Sequence, residues 1–153
     1  VLRDLAPEHP RVVVSHHGTR SVQEAILDCS LFATDWSSTF FDAAYAGRPV
    51  VLTPFDEAEY RARQYAKGYT DGEDLGFGPV ARTVPGALAA IKRYVERDFE
   101  REPGFSAAVD SFFAHRDGKN CARVIGAIER VLEGRAPAVE LPAVELEEVA
   151  LAA

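Results

Sequence analysis

A chain of 153 residues, 47% hydrophobic and 27% charged, is one domain's worth of globular sequence, long enough to bury roughly two-thirds of its unfolded surface. Its net charge of −7 argues against broad nucleic-acid binding, and nothing in it approaches a membrane-spanning run or a signal peptide. Cys29 and Cys121 have no metal-type spacing and no disulfide framework, which suits thiols in a reducing compartment. His9, His16, His17 and His115 lack the i, i+4 spacing of a zinc-enzyme helix, so neither a protein-built metal site nor a cofactor is expected. The chain contains no methionine and opens on VLRDLAPEHP, which leads to the expectation of an internal or C-terminal piece of a longer protein.

In chain order, RVVV (11–14) reads as a β-branched strand. SVQEAILDC then opens with Ser21-x-x-Glu24, a capping box, and predicts a helix through about residue 29. LFAT (31–34) is a second apolar run. TFFDAAYAG follows, with Thr39-x-x-Asp42 at the helix start and Gly47 placed to end it. PVVLT (49–53) is a third strand stopped by Pro54. Strand and helix patterns alternate over short connections, and the strands are apolar throughout, the signature of βαβ units in a parallel sheet covered on both faces.

Beyond Pro54, DEAEYRARQYAKG reads as helix and YTDGEDLGFGP as a loop. VARTV (80–84) reads as a fourth strand, and PGALAAIKRYVERD as a helix with Pro85 near its first turn. Two further helices are predicted over about 104–115 and 119–132. From Arg135 the chain is RAPAVELPAVELEEVALAA, with PAVEL repeated at 137–141 and 142–146. This 135–153 stretch reads as a low-complexity acidic tail without fixed structure, leaving 1–134 as the folded domain.

The hydroxyl cluster Ser37, Ser38 and Thr39 falls between the LFAT run and its helix. In parallel α/β sheets ligands bind at the carboxyl ends of strands, where loops lead into helix N-termini and exposed N–H groups favour an anion. Phosphate suits such a position. Ser and Thr are also the commonest helix caps, and both readings stand on the residues alone. Asp35 reads as tying down the turn, Asp42 as a capping partner, and Phe40, Phe41 and Tyr45 as the core face of the helix.

The stretch LFATDWSSTFFDAAYAGRPVVLTPFDEAEY resembles a segment of the CDP-glycerol glycerophosphotransferases, the teichoic-acid polymerase and primase type. Thr34, Asp35, Ser37, Ser38, Phe41, Asp42, Pro49, Asp56 and Tyr60 match it in register without a gap. The likeness continues through GY (68–69), GPV (78–80) and DGKNCARVI (117–125), covering about residues 11–132. Trp36 stands where that family usually has Tyr, and Arg48 where it usually has Lys. The loop here reads GFGP instead of P-G-P.

The resemblance implies a Rossmann-like α/β domain, the C-terminal half of a glycosyltransferase-B arrangement whose N-terminal half lies outside this chain. That half holds CDP-glycerol or a similar CDP-alcohol. Alcohol phosphate passes to a hydroxyl of a polymer or lipid-linked acceptor and CMP is released, in the cytoplasm or peripherally at the inner face of the cell membrane. Ser37, Ser38 and Thr39 become the diphosphate cradle, with Arg48, Arg82, Lys119 and Arg123 as candidate cations, Arg123 preferred and Asp117 supporting it. His16 and His17, after the first strand, are candidate bases. The competing readings are a nucleotide-sugar glycosyltransferase of the same architecture and a non-catalytic half-domain that binds a nucleotide.

Overall fold

The computed structural model describes residues 10–15, 20–63 and 72–135. Its first helix, α1 (Val22–Asp28), forms where the sequence supplies a reciprocal cap. The Ser21 hydroxyl accepts the Glu24 N–H at 3.2 Å, and the Glu24 carboxylate accepts the Ser21 N–H at 2.8 Å. These bonds hold the Glu24 carboxyl below its usual range, the backbone N–H of Ser21 being the largest cause.

Strand β1 (Phe32–Thr34), helix α2 (Thr39–Tyr45) and strand β2 (Val50–Leu52) make one βαβ unit. The strands pair in parallel, Phe32 with Val50, Ala33 with Val51 and Thr34 with Leu52. Gly47, at φ 82°, takes the left-handed conformation that turns the chain out of α2 and back toward the sheet. Helices α3 (Glu57–Arg63) and α4 (Gly72–Leu75) come next. The chain then returns beside β2, where Val80 bridges Leu52 in parallel, with bonds from Leu52 N–H to Pro79 O and from Ala81 N–H to Leu52 O.

That return depends on Gly78, where an added Cβ would collide with the Val50 carbonyl. Thr83 caps α5 (Val84–Glu96), its hydroxyl accepting the Gly86 N–H, with Pro85 in the first turn. Helix α6 (Pro103–Phe112) follows.

Alternation along β2 gives the sheet two buried faces. Val50 and Leu52 point into a cluster with Ile26, Phe40, Ala43, Ala44 and Val109, contributed by α1, α2 and α6, and with Phe77 from the turn after α4. Val51 points the other way, against Ala90 and Tyr94 of α5. Val50 and Val51 are both fully buried, which is why PVVLT carries no polar alternation. Phe40, Phe41, Phe77, Phe112 and Phe113 stack or meet edge-on beside the first cluster, extending it with ring contacts.

The chain divides into two compact units, Val1–Ala114 and His115–Ala153. The second unit contains α7 (Asn120–Leu132), whose apolar side chains Val124, Ile125, Ile128, Val131 and Leu132 are all exposed. Among the described residues no helix is long and apolar enough to cross a membrane.

Three expectations are corrected here. Residues 12–15 form no strand, and Val12 and Val13 are 50% and 89% exposed. β-branched composition makes a strand only where a neighbouring strand supplies bonds. The 80–84 strand shrinks to a single bridge at Val80, because the cap at Thr83 starts α5 at Val84. The cap of α2 is Ser38 instead of Thr39, so the Thr39–Asp42 capping box does not form and Asp42 is an exposed first-turn acid. The repetitive tail beyond Arg135 lies outside the described residues.

Candidate functional site

In a parallel sheet every strand ends on the same edge, so the loops after β1, after β2 and after Val80 gather on one rim. The first of these loops carries Asp35, Trp36, Ser37 and Ser38. Ser38 occupies the N-cap of α2 with helical torsions, φ −62° and ψ −9°, and its side chain makes no capping bond. An αR conformation points the cap side chain away from the N–H groups that an extended cap residue would reach. The Ser37 hydroxyl instead lies 2.7 Å from that of Thr39 and accepts the Thr39 N–H at 3.3 Å. Asp35 is exposed and, among the described residues, takes no hydrogen bond from the turn.

The second loop meets the first through aromatic and polar contacts. The Trp36 indole N–H donates to Asp56 Oδ1 at 2.9 Å, and its ring stacks on Tyr60 with centroids 4.2 Å apart and planes 3° from parallel. The Arg61 guanidinium sits 5.3 Å from the indole centroid on the stack. Asp56 and Tyr60 match the family motif. The stack itself carries no sequence signal beyond their presence.

Charges on the rim form a chain. Glu57 accepts from Arg61 at 3.0 Å on one carboxylate oxygen and from Arg82 at 2.7 Å on the other. Arg82 also donates from a terminal nitrogen to Glu73. Both arginine bonds hold the Glu57 carboxyl below its usual range, Arg82 contributing most. Glu73, then Glu57, push Arg82 further toward the charged form. The Glu57–Arg61 spacing of four was legible as a helical ion pair. The contacts that join Arg82 to Glu57 and Glu73 span 25 and 9 residues and had no local signal.

Arg48 does not join this rim. It precedes β2 and lies at the opposite edge, where its guanidinium donates to the Leu27 carbonyl at the end of α1. In the fold it ties α1 to the sheet. Arg101 works beside it, donating to Arg48 O at 2.8 Å and Ala44 O at 3.3 Å.

In the second unit, Asp117 grips Arg123 through both oxygens, at 2.7 and 2.5 Å, and accepts the Lys119 N–H at 3.1 Å. Arg123 first, and that N–H second, hold the Asp117 carboxyl well below the usual carboxylate range. His16 and His17 lie outside the described residues. His115 accepts from the Asn120 side chain through its backbone carbonyl. Among the described residues no group of three His, Cys, Asp or Glu side chains could hold a metal ion.

Hydroxyls, a stacked ring pair and arginines lie on the carboxyl edge of a small parallel α/β sheet, the edge at which ligands bind in sheets of this kind. Residues 3–130 match the family described as CDP-Glycerol:Poly(glycerophosphate) glycerophosphotransferase, and the chain belongs to that family. It is 28% identical over 108 residues to the minor teichoic acid biosynthesis protein GgaB of Bacillus subtilis (strain 168), covering 71% of this chain and 12% of that protein.

It is 29% identical over 108 residues to the teichoic acid poly(glycerol phosphate) polymerase of the same strain, covering 70% of this chain and 14% of that one. It is 32% identical over 110 residues to the teichoic acid poly(ribitol-phosphate) polymerase of Bacillus spizizenii (strain ATCC 23059 / NRRL B-14472 / W23), covering 71% and 17%. The chain therefore spans between 12% and 17% of the length of these relatives. No solved structure matches it.

Proposed function

We propose that this chain is the Rossmann-like donor-binding portion of a transferase that moves glycerol phosphate, or a related alcohol phosphate such as ribitol phosphate, from a CDP-alcohol to an acceptor hydroxyl. Ser37, Ser38 and Thr39 hold the diphosphate, the transferred alcohol phosphate passes to a teichoic-acid-like polymer or lipid-linked acceptor, and CMP leaves. The observation that carries this reading is the N-cap of α2, where Ser38 sits in cap position with its hydroxyl unused as a cap. Ser37 and Thr39 support it, their hydroxyls drawn together on the same rim. Family membership supports the donor class.

Phosphoryl transfer asks little covalent chemistry of the protein. Positioning the diphosphate and offsetting its charge supply most of the barrier lowering. A base that titrates near neutral pH completes the reaction, and His16 or His17 is proposed for it. Arg123 is proposed as a further cation, reached by exchanging its Asp117 partner for phosphate.

Calorimetric titration with CDP-glycerol, CDP, UDP and UDP-N-acetylglucosamine, repeated on Ser37→Ala/Ser38→Ala, tests the reading. Cytidine-selective binding that the double substitution removes is the expected result. Preference for the UDP-sugar would favour a glycosyltransferase. No nucleotide binding at all would leave the hydroxyls without a ligand and overturn the proposal.

A further inference from the structure

Arg82 occupies an electrostatically awkward position. It directly precedes Thr83, the cap of the 13-residue helix α5, where the helix dipole is positive and a cation is disfavoured. Two carboxylates offset it. Glu57 takes its Nε at 2.7 Å and Glu73 takes a terminal nitrogen, while the guanidinium stays about half exposed.

The two carboxylates are not equivalent. Glu57 is shared between Arg82 and Arg61, sits in the first turn of α3 and is 25% exposed. Glu73 bonds Arg82 from the four-residue helix α4 and is 47% exposed. Exposed ion pairs contribute little net stability, so exchanging Glu73 for another anion is nearly neutral in free energy. Within the Arg61, Arg82, Glu57 and Glu73 chain the charges cancel, and withdrawing Glu73 leaves these four groups at +1, beside the Asp35 and Asp56 carboxylates of the same rim.

We infer that Glu73 is an internal stand-in for the ligand at Arg82: its carboxylate fills an anion subsite that a phosphate group of the donor takes over on binding. This rests on the diphosphate reading given above. It adds Arg82 as the cation of the subsite and Glu73 as the group that competes for it. The guanidinium fork suits both occupants, since it bonds carboxylate and phosphate oxygens with similar geometry.

The test is a double-mutant cycle on the 153-residue chain, titrated with CDP and with inorganic pyrophosphate. Glu73→Gln should tighten CDP by about five- to tenfold, because the competitor loses its charge. Arg82→Ala should weaken CDP at least about tenfold, and in that background Glu73→Gln should have no further effect. Glu59→Gln removes the same charge from the exposed Glu59–Arg63 pair and should leave affinity unchanged.

Tightening by Glu73→Gln that persists without Arg82, or that Glu59→Gln reproduces, would reduce the effect to bulk charge and overturn the inference. So would unchanged affinity in Glu73→Gln while CDP binding is still lost in Ser37→Ala/Ser38→Ala, and here the diphosphate reading survives alone. No binding of CDP or pyrophosphate to the unsubstituted chain overturns both. Circular dichroism, with Arg82→Lys as a second variant, separates loss of the subsite from loss of fold.

Discussion

The two edges of the small parallel sheet use arginine in opposite ways. At the amino edge, Arg48 and Arg101 donate to backbone carbonyls, of Leu27 in one case and of Ala44 and Arg48 in the other. A carbonyl cannot swing aside or be displaced, so these arginines are fixed parts of the fold. At the carboxyl edge, Arg61 and Arg82 donate to the side chains of Glu57 and Glu73, which are flexible, charged and partly exposed. Such partners are exchangeable. Arginine therefore marks structure on one side of the sheet and a candidate ligand surface on the other, and only the identity of the acceptor separates the two.

The largest effect should come from the element both edges depend on. Gly78→Ala drives a methyl group into the Val50 carbonyl, and either the 79–81 segment leaves β2 or the sheet distorts. A loss of about 3 kcal/mol in urea denaturation is expected, as for a severe overpacking change. A loss under about 0.5 kcal/mol would mean the backbone approach is looser than described.

Next is Arg101→Ala, which strips bonds from two carbonyls at the amino edge. It should cost about 2 kcal/mol, and the part due to the Ala44 and Arg48 carbonyls should be insensitive to salt, because those acceptors are uncharged. The contrasting substitution, Arg82→Ala, should barely move the denaturation midpoint, and what movement there is should fade in added salt. If the two behave alike, the division between fixed and exchangeable arginines fails.

Trp36→Ala removes the stack on Tyr60 and the bond to Asp56, and should cost about 1 kcal/mol of thermal stability. Trp36→Phe, which keeps a ring over Tyr60, should recover most of that.

The smallest effect is in the pH dependence. The Glu57 carboxyl is held below its ordinary value of 4.5 in the fold, by Arg82 first and Arg61 second. A depressed folded-state value contributes stability that is present above the unfolded pKa and is lost as the pH falls through the folded one. Melting temperature should thus drop as pH falls below about 4.5, and Glu57→Gln should flatten that limb. An unchanged acid limb in the variant would remove Glu57 from the account.

Much of the helical content was legible because its signals are local. Ser21 with Glu24, Pro85 and Gly47 each sit within one turn of the boundary they mark, whereas Thr83, the cap beside Pro85, reads as strand in the sequence. The parallel pairing of LFAT with PVVLT followed from apolar runs around a short helix. What failed had no local signature. RVVV has strand composition and no strand beside it, and Ser38 displaced Thr39 as cap because of its torsions, which the sequence does not display.

The site divides in the same way. Ser37, Ser38 and Thr39 fall on the rim where the strand–helix order put them. Arg48 takes the amino edge because it precedes a strand, and its match to a motif cation carries no information about which edge it takes. Arg101 reaches partners 53 and 57 residues away, and no reading of neighbouring residues could have found it.

Trp36 is the single tryptophan in the chain, and it stands on the rim between Asp56, Tyr60 and Arg61. Indole emission responds to charge and water within a few ångströms, so the chain's entire tryptophan fluorescence originates at the candidate site. The protein carries its own optical probe, placed where, on the proposed donor-binding reading, a nucleotide base or phosphate would change its surroundings first. Occupancy and its rate can be followed by stopped flow on the unlabelled chain, with no second indole elsewhere to dilute the signal.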